Sequence, residues 1–199
     1  MTGCSFLSET CFGRGTDPHY EERMERFYTG IGSREATLDV CEKLERIAIR
    51  LAELDYVLRS GGAKGADRAF QRGAESVHGV TEIYKAKGKF KHMIPAWCFE
   101  EVKKHMPPNR PPFDSMEEHT RKLLARNMLQ VLGEDGQAPS EFLVCWTPAG
   151  LTDGGTGYAL RCAVAHGVMT YNLRNPIEEK AFDGFLRELE ENHVQATTG

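Results

Sequence analysis

The chain has 199 residues, 40% of them apolar and 27% charged, with a formal net charge of −4. That length suits one domain with a core of ordinary size, and the composition excludes wholesale disorder. The acidic balance argues against a broad, non-specific nucleic-acid binder, which needs extended Lys and Arg surface, but leaves room for a small basic pocket.

Residues 1–25 are polar, lack an apolar period and read as an arm. A strand is predicted near Arg26–Ile31. A helix follows over Leu38–Leu54, where Leu44, Ile47, Ala48, Leu51 and Leu54 recur at helical spacing. A second strand at Tyr56–Arg59, a helix through about Ser76 and a third strand at Thr81–Tyr84 complete a β-α-β-α-β run. Such a run implies right-handed crossovers and a parallel sheet. Residues 85–114 break the pattern with Lys85, Lys87, Lys89 and Lys91, then Pro95, Pro107, Pro108, Pro111 and Pro112. They predict an irregular insertion holding one short helix near Ala96–His105. Ser115-Met116-Glu117-Glu118 has capping-box spacing and predicts a helix to about Leu132. A strand at Glu141–Trp146, a helix over Gly157–His166 closed by Gly167, and a strand at Val168–Leu173 come next. The end, Ile177–Glu191, puts Phe182, Phe185, Leu186 and Leu189 on one helical face, with residues 193–199 as a flexible tail. The whole reads as α/β: a Rossmann-like three-layer fold, its mainly parallel central sheet flanked by helices, in one domain over 26–192.

Three glycine-rich turns sit between a strand-like and a helix-like run: Gly30-Ile31-Gly32-Ser33-Arg34, Ser60-Gly61-Gly62-Ala63-Lys64-Gly65-Ala66-Asp67 and Asp153-Gly154-Gly155-Thr156-Gly157. Glycines let the backbone approach a phosphate, and the following helix offers free N–H groups and a positive dipole end. In open parallel sheets such turns gather at the carboxyl ends of the strands, near a switch in strand order. The first turn lacks the third glycine of a dinucleotide fingerprint and the second lacks the GKS/T of a Walker loop, so neither names its ligand. Asp67 either caps its helix or accepts hydrogen bonds from a ribose diol. Arg126 and Asn127 lie on an amphipathic helix, where they are either surface groups or reach into the ligand site. The lysines at 85–91 are a solvated loop or a phosphate-facing flap. The seven histidines lack HxxxH spacing and the six cysteines lack CxxC, so neither a metal nor a resident cofactor is expected. Free thiols suit a reducing cytoplasm. No apolar run approaches the ~20 residues that span a bilayer, so no membrane partner is expected.

Taken together, Gly30–Arg34, Ser60–Asp67 and the Arg126-Asn127 pair resemble the Rossmann-like domain of the DNA-processing protein DprA (Smf), where a GSR turn, an SG-x-A-x-G-x-D turn and an RN pair recur. The resemblance covers roughly residues 26–175. The same superfamily, SLOG, includes LOG-type phosphoribohydrolases and nucleotide-sensing domains. It implies a pocket for nucleotides, nucleotide derivatives or single-stranded DNA, and dimers built on the helix at 115–132 or the terminal helix. LOG-type enzymes carry a GGxGTxxE-like motif whose acid assists cleavage of the base–sugar bond. Here Leu160 and Arg161 stand in that stretch, so base cleavage would fall to Asp67, Asp153 or Glu35.

These features favour a phosphorylated nucleotide or derivative as the small-molecule ligand. Backbone N–H groups of Gly32–Ser33 and Gly61–Gly65 would hold phosphate, Arg34 and Lys64 would supply charge, and Gly154, Gly155 and Thr156 would close the far wall. The alternatives are single-stranded DNA binding by a DNA-processing accessory protein, using a basic stripe of Lys85–Lys91 with Arg59 and Lys64, and a LOG-like nucleotide N-glycosidase.

Overall fold

A computed structural model describes residues 25–86, 93–150 and 154–198. The arm at 1–24, Lys87, Lys89, Lys91 and Asp153 lie outside the described residues. The elements run β1 (Arg26–Gly32), α1 (Leu38–Glu53), β2 (Tyr56–Ser60), α2 (Ala66–Ser76), β3 (Thr81–Ile83), α3 (Ala96–Lys104), α4 (Glu118–Leu132), β4 (Phe142–Trp146), α5 (Gly155–Ala165), β5 (Met169–Asn172) and α6 (Pro176–Thr198). All five strands are parallel, in the order β3-β2-β1-β4-β5. The order reverses between β1 and β4, where Tyr28 pairs with Phe142 and Gly32 with Trp146.

Alternation along the strands sorts the core into two halves. Tyr28, Leu58, Phe142 and Val144 face α1, α2 and α6, whereas Ile31, Leu143 and Cys145 face α3, α4 and α5. This is the three-layer arrangement that right-handed crossovers produce. Phe142 is the centre of the first half: its ring stacks on Tyr28 at 5.8 Å and meets Tyr56 at 5.2 Å and Phe185 at 5.0 Å. Burial there raises the Tyr28 phenol above its ordinary pKa.

Two expectations change. Ser115 does not cap α4. It closes a 3-10 turn over Phe113–Ser115, its Oγ donating to the Pro112 carbonyl at 2.7 Å, and Glu117 takes the cap position without a side-chain bond. The reason is Phe113, which the turn buries after the fixed backbone of Pro111-Pro112. The segment 193–198, read as a tail, is helical instead and continues α6. No proline or glycine lies beyond Gly184 in the helix, and Thr198 Oγ1 bonds back to the Val194 carbonyl at 2.8 Å.

Candidate functional site

A cleft of about 610 Å³ opens at the carboxyl ends of β1 and β4, at the reversal in strand order. Of the residues expected there, Gly32, Ser33, Arg34, Ala63, Asp67, Arg126, Asn127, Gly154, Gly155 and Thr156 line it. Gly30, Ser60, Gly61, Gly62 and Gly65 stand behind or beside it, and Gly30, Ser60 and Gly65 pack the turns together, while Lys64 is exposed on the second turn outside the lining.

The glycines show how. A Cβ on Gly30 would lie 2.7 Å from the Phe70 ring and 2.8 Å from Leu58, so this glycine admits α2 to the sheet. A Cβ on Gly65 would strike the Ser33 carbonyl, which already accepts from the Ala66 N–H at 3.0 Å. Gly65 also has φ +86°, a conformation that side chains resist. The first two turns therefore pack backbone on backbone. Ser60 Oγ adds a bond to the Gly30 carbonyl at 2.6 Å.

Asp67 ties the same two turns with its carboxylate. Oδ1 accepts from the Gly32 N–H at 3.0 Å, Oδ2 accepts from the Ala63 N–H at 3.4 Å, and Arg126 Nη1 lies 3.8 Å from Oδ2. Both side chains are buried, Asp67 at 4% and Arg126 at 6% exposure. Burial pushes the Asp67 carboxyl up and the Arg126 guanidinium down, and their mutual attraction opposes each shift. Arg126 lies where a side chain on Gly61 would be, and the Gln130 amide, turned with its oxygen inward, accepts from its Nε at 3.3 Å. Asn127, the next residue, donates to the Gly155 carbonyl at 2.9 Å. The Arg-Asn pair thus joins α4 to the second turn through one residue and to the start of α5 through the other.

What remains open to a ligand is narrower than the sequence suggests. Arg34 is exposed at the mouth of the cleft and makes no hydrogen bond or ion pair among the described residues. Opposite it, α5 begins at Gly155 with no side-chain cap, and its first residues line the cleft. An uncapped first turn carries free N–H groups and a partial positive charge. Leu123 and Leu124 of α4 give the cleft an apolar wall. The arrangement can hold an anion beside a flat apolar group.

Sequence reasoning missed Thr147, Pro148 and Gln130. The first two follow β4 directly, where ligands of open sheets sit, and Gln130 lies one helical turn beyond Arg126. It also misplaced Arg59, which is 3% exposed. Its guanidinium bonds Glu82 at 2.7 Å and covers the Phe27 ring at 3.6 Å, so it belongs to no surface stripe. At the LOG-type acidic stretch, Leu160 is buried and Arg161 donates to the His105 carbonyl at 2.8 Å.

No family model and no curated protein sequence matches the chain. Solved structures do. The chain is similar to DNA processing protein A from Helicobacter pylori, with a TM-score of 0.54 and 17% identity, over 84% of this chain and 81% of that one. That protein is described for its single-stranded DNA binding mode. It is also similar to DprA from Streptococcus pneumoniae, with a TM-score of 0.48 and 18% identity, over 74% of this chain and 50% of that one. The fold is a DprA-like Rossmannoid domain. Among the described residues no helix is long and apolar enough to cross a membrane.

Proposed function

We propose that this chain binds single-stranded DNA as a DNA-processing accessory protein of the DprA type, with a backbone phosphate held between Arg34 and the first turn of α5. The observation that carries the reading is the pairing of an exposed arginine, unpartnered among the described residues, with an uncapped helix start across the switch-point cleft. The shared fold with a single-stranded DNA binder supports it. Lys64, exposed on the second turn, would take a neighbouring phosphate. Four buried free thiols, Cys41, Cys98, Cys145 and Cys162, support a reducing, cytoplasmic setting. The same reading includes self-association through α4 or α6, measured as molar mass by light scattering.

The test is anisotropy of a labelled oligo-dT across a salt series. Single-strand binding should lose about 0.7 in log–log slope for each phosphate contact removed. Arg34→Ala should weaken binding roughly tenfold and flatten the slope by about that amount, consistent with losing one charge-assisted bond. An affinity and slope indifferent to Arg34→Ala would overturn the proposal.

A second reading has its own observation. The cleft volume lies within the roughly 300–1,000 Å³ usual for small-molecule sites. A nucleoside monophosphate that raises Tm, and that oligo-dT fails to displace, would place a small nucleotide there instead.

A further inference from the structure

At the far end of α5 from the cleft, two helices finish side by side. Glu101 and His105 lie four residues apart at the end of α3, and Cys162 and His166 lie four apart at the end of α5. One ligand atom from each of the four lies within 4.8 Å of the other three. Both imidazoles already aim Nε2 at one point: each lies 2.8 Å from Glu101 Oε1. Lys104 Nζ holds the other carboxylate oxygen at 2.7 Å, and Arg161 fixes the His105 carbonyl at 2.8 Å.

We propose that Glu101, His105, Cys162 and His166 form a closed four-ligand site for a divalent transition metal, zinc by preference. Zinc takes four ligands in a tetrahedron with bonds of about 2.0–2.3 Å, which sets ligand atoms roughly 3.3–3.8 Å apart. Reaching that spacing takes shifts of about 1 Å: the wider pairs draw in, and the two imidazole nitrogens, each 2.8 Å from Glu101 Oε1, part from it to admit the ion. Two imidazoles and a thiolate select zinc over calcium or magnesium, which prefer all-oxygen shells. The surroundings suit a cation independently of the ligands. His105 and His166 are the C-caps of their helices, so two negative dipole ends converge on the site. Lys104 holds the second oxygen of Glu101, the kind of outer contact that orients a ligand, and Arg161 anchors the His105 backbone. Glu101, His105 and Cys162 are buried while His166 is exposed, which leaves an entry path on one side only. On binding, the Cys162 thiol releases its proton to solvent and sulfur bonds the metal; the imidazoles bind as neutral rings through Nε2. With all four positions filled by protein, the site is structural: it clamps α3, the helix of the 85–114 insertion, to α5.

The full chain carrying Cys4→Ser and Cys11→Ser is stripped with a chelator and titrated with Co²⁺, then with Zn²⁺. The expected result is one Co²⁺ per chain, with the intense visible bands of a tetrahedral site and a thiolate-to-cobalt charge-transfer band, both abolished by Zn²⁺. His166→Gln should lower Co²⁺ affinity at least a hundredfold, and Cys162→Ser should remove the charge-transfer band. His119→Gln, a change on exposed α4 surface, should alter neither. Should Cys162→Ser fail to fold, His166→Gln carries the test. Substoichiometric binding, pale six-coordinate spectra, or full affinity in His166→Gln would each overturn the proposal.

Discussion

Substituting Gly61 by alanine separates the two roles a glycine can have in a ligand turn. Gly61 is not among the glycines with positive φ, so the backbone accepts alanine there. Taken alone, the change should add roughly 0.4–1 kcal/mol by restricting the unfolded chain. The new Cβ, however, would overlap Arg126 Nη1 and lie 2.8 Å from Asp67 Oδ2. The guanidinium has to leave, and Asp67 is left buried without its counter-charge. Separating a buried pair costs about 3–5 kcal/mol, so the net loss should be about 2–4 kcal/mol. In an Arg126→Ala background the obstacle is gone, and the same methyl should cost less than about 1 kcal/mol. A double-mutant cycle should therefore return a coupling of ~2 kcal/mol or more. Urea unfolding of the four proteins, followed by the fluorescence of Trp97 and Trp146, gives the values, with equal m as the check on two-state behaviour. Equal cost of Gly61→Ala in both backgrounds would refute the reasoning.

Tyr28→Phe should leave stability unchanged or raise it by about 1 kcal/mol, because the buried Tyr28 hydroxyl has no partner among the described residues. A loss of more than about 1 kcal/mol in urea unfolding would show that the hydroxyl is bonded. Glu141 accepts from Arg26 at 3.0 Å and from Tyr56 at 2.8 Å. Burial raises its pKa, but the bonds from Arg26 and Tyr56 outweigh that and hold it below the usual carboxylate range. A lowered carboxyl pKa adds stability above the unfolded value, which is lost as pH falls through the folded one. Glu141→Gln should thus lower stability slightly at neutral pH, by less than about 1 kcal/mol for so exposed a pair. The gap should close as pH drops through ~4.3 and below; an undiminished gap near pH 3 would contradict the assignment.

The strands and helices were legible because most changes of period are punctuated by glycine, the exceptions being Leu54-Asp55 before β2 and Leu173-Arg174-Asn175 before α6. Val57–Leu58 and Phe142–Cys145 are continuous apolar runs, as strands buried on both faces must be. The turns were legible as turns, but their division of labour was not. That Arg126 fills the space over Gly61 depends on a contact between residues far apart in the chain, which no local pattern encodes. Ser115 misled because the capping box is a local rule and Phe113 answered to the core instead. The histidine–cysteine cluster was overlooked for a narrower reason. A search for HxxxH passes over Glu101-x-x-x-His105 and Cys162-x-x-x-His166, each of which puts two ligands on one helix face.

The place of β1 in the sheet also sets a timetable. Its partner β2 follows after a single helix, but its other neighbour comes much later: Thr29 meets Ser140 across 111 residues. At ~5–20 residues per second of synthesis, roughly 5–20 s separate the two. For that interval the strand destined for the centre is an edge, apolar and unpaired on its β4 side, the kind of edge that invites wrong partners. The cleft does not exist until β4 arrives to close it. Anything that binds there acts only once β4 and the start of α5 are in place, while the hazard of mispairing falls on the interval before.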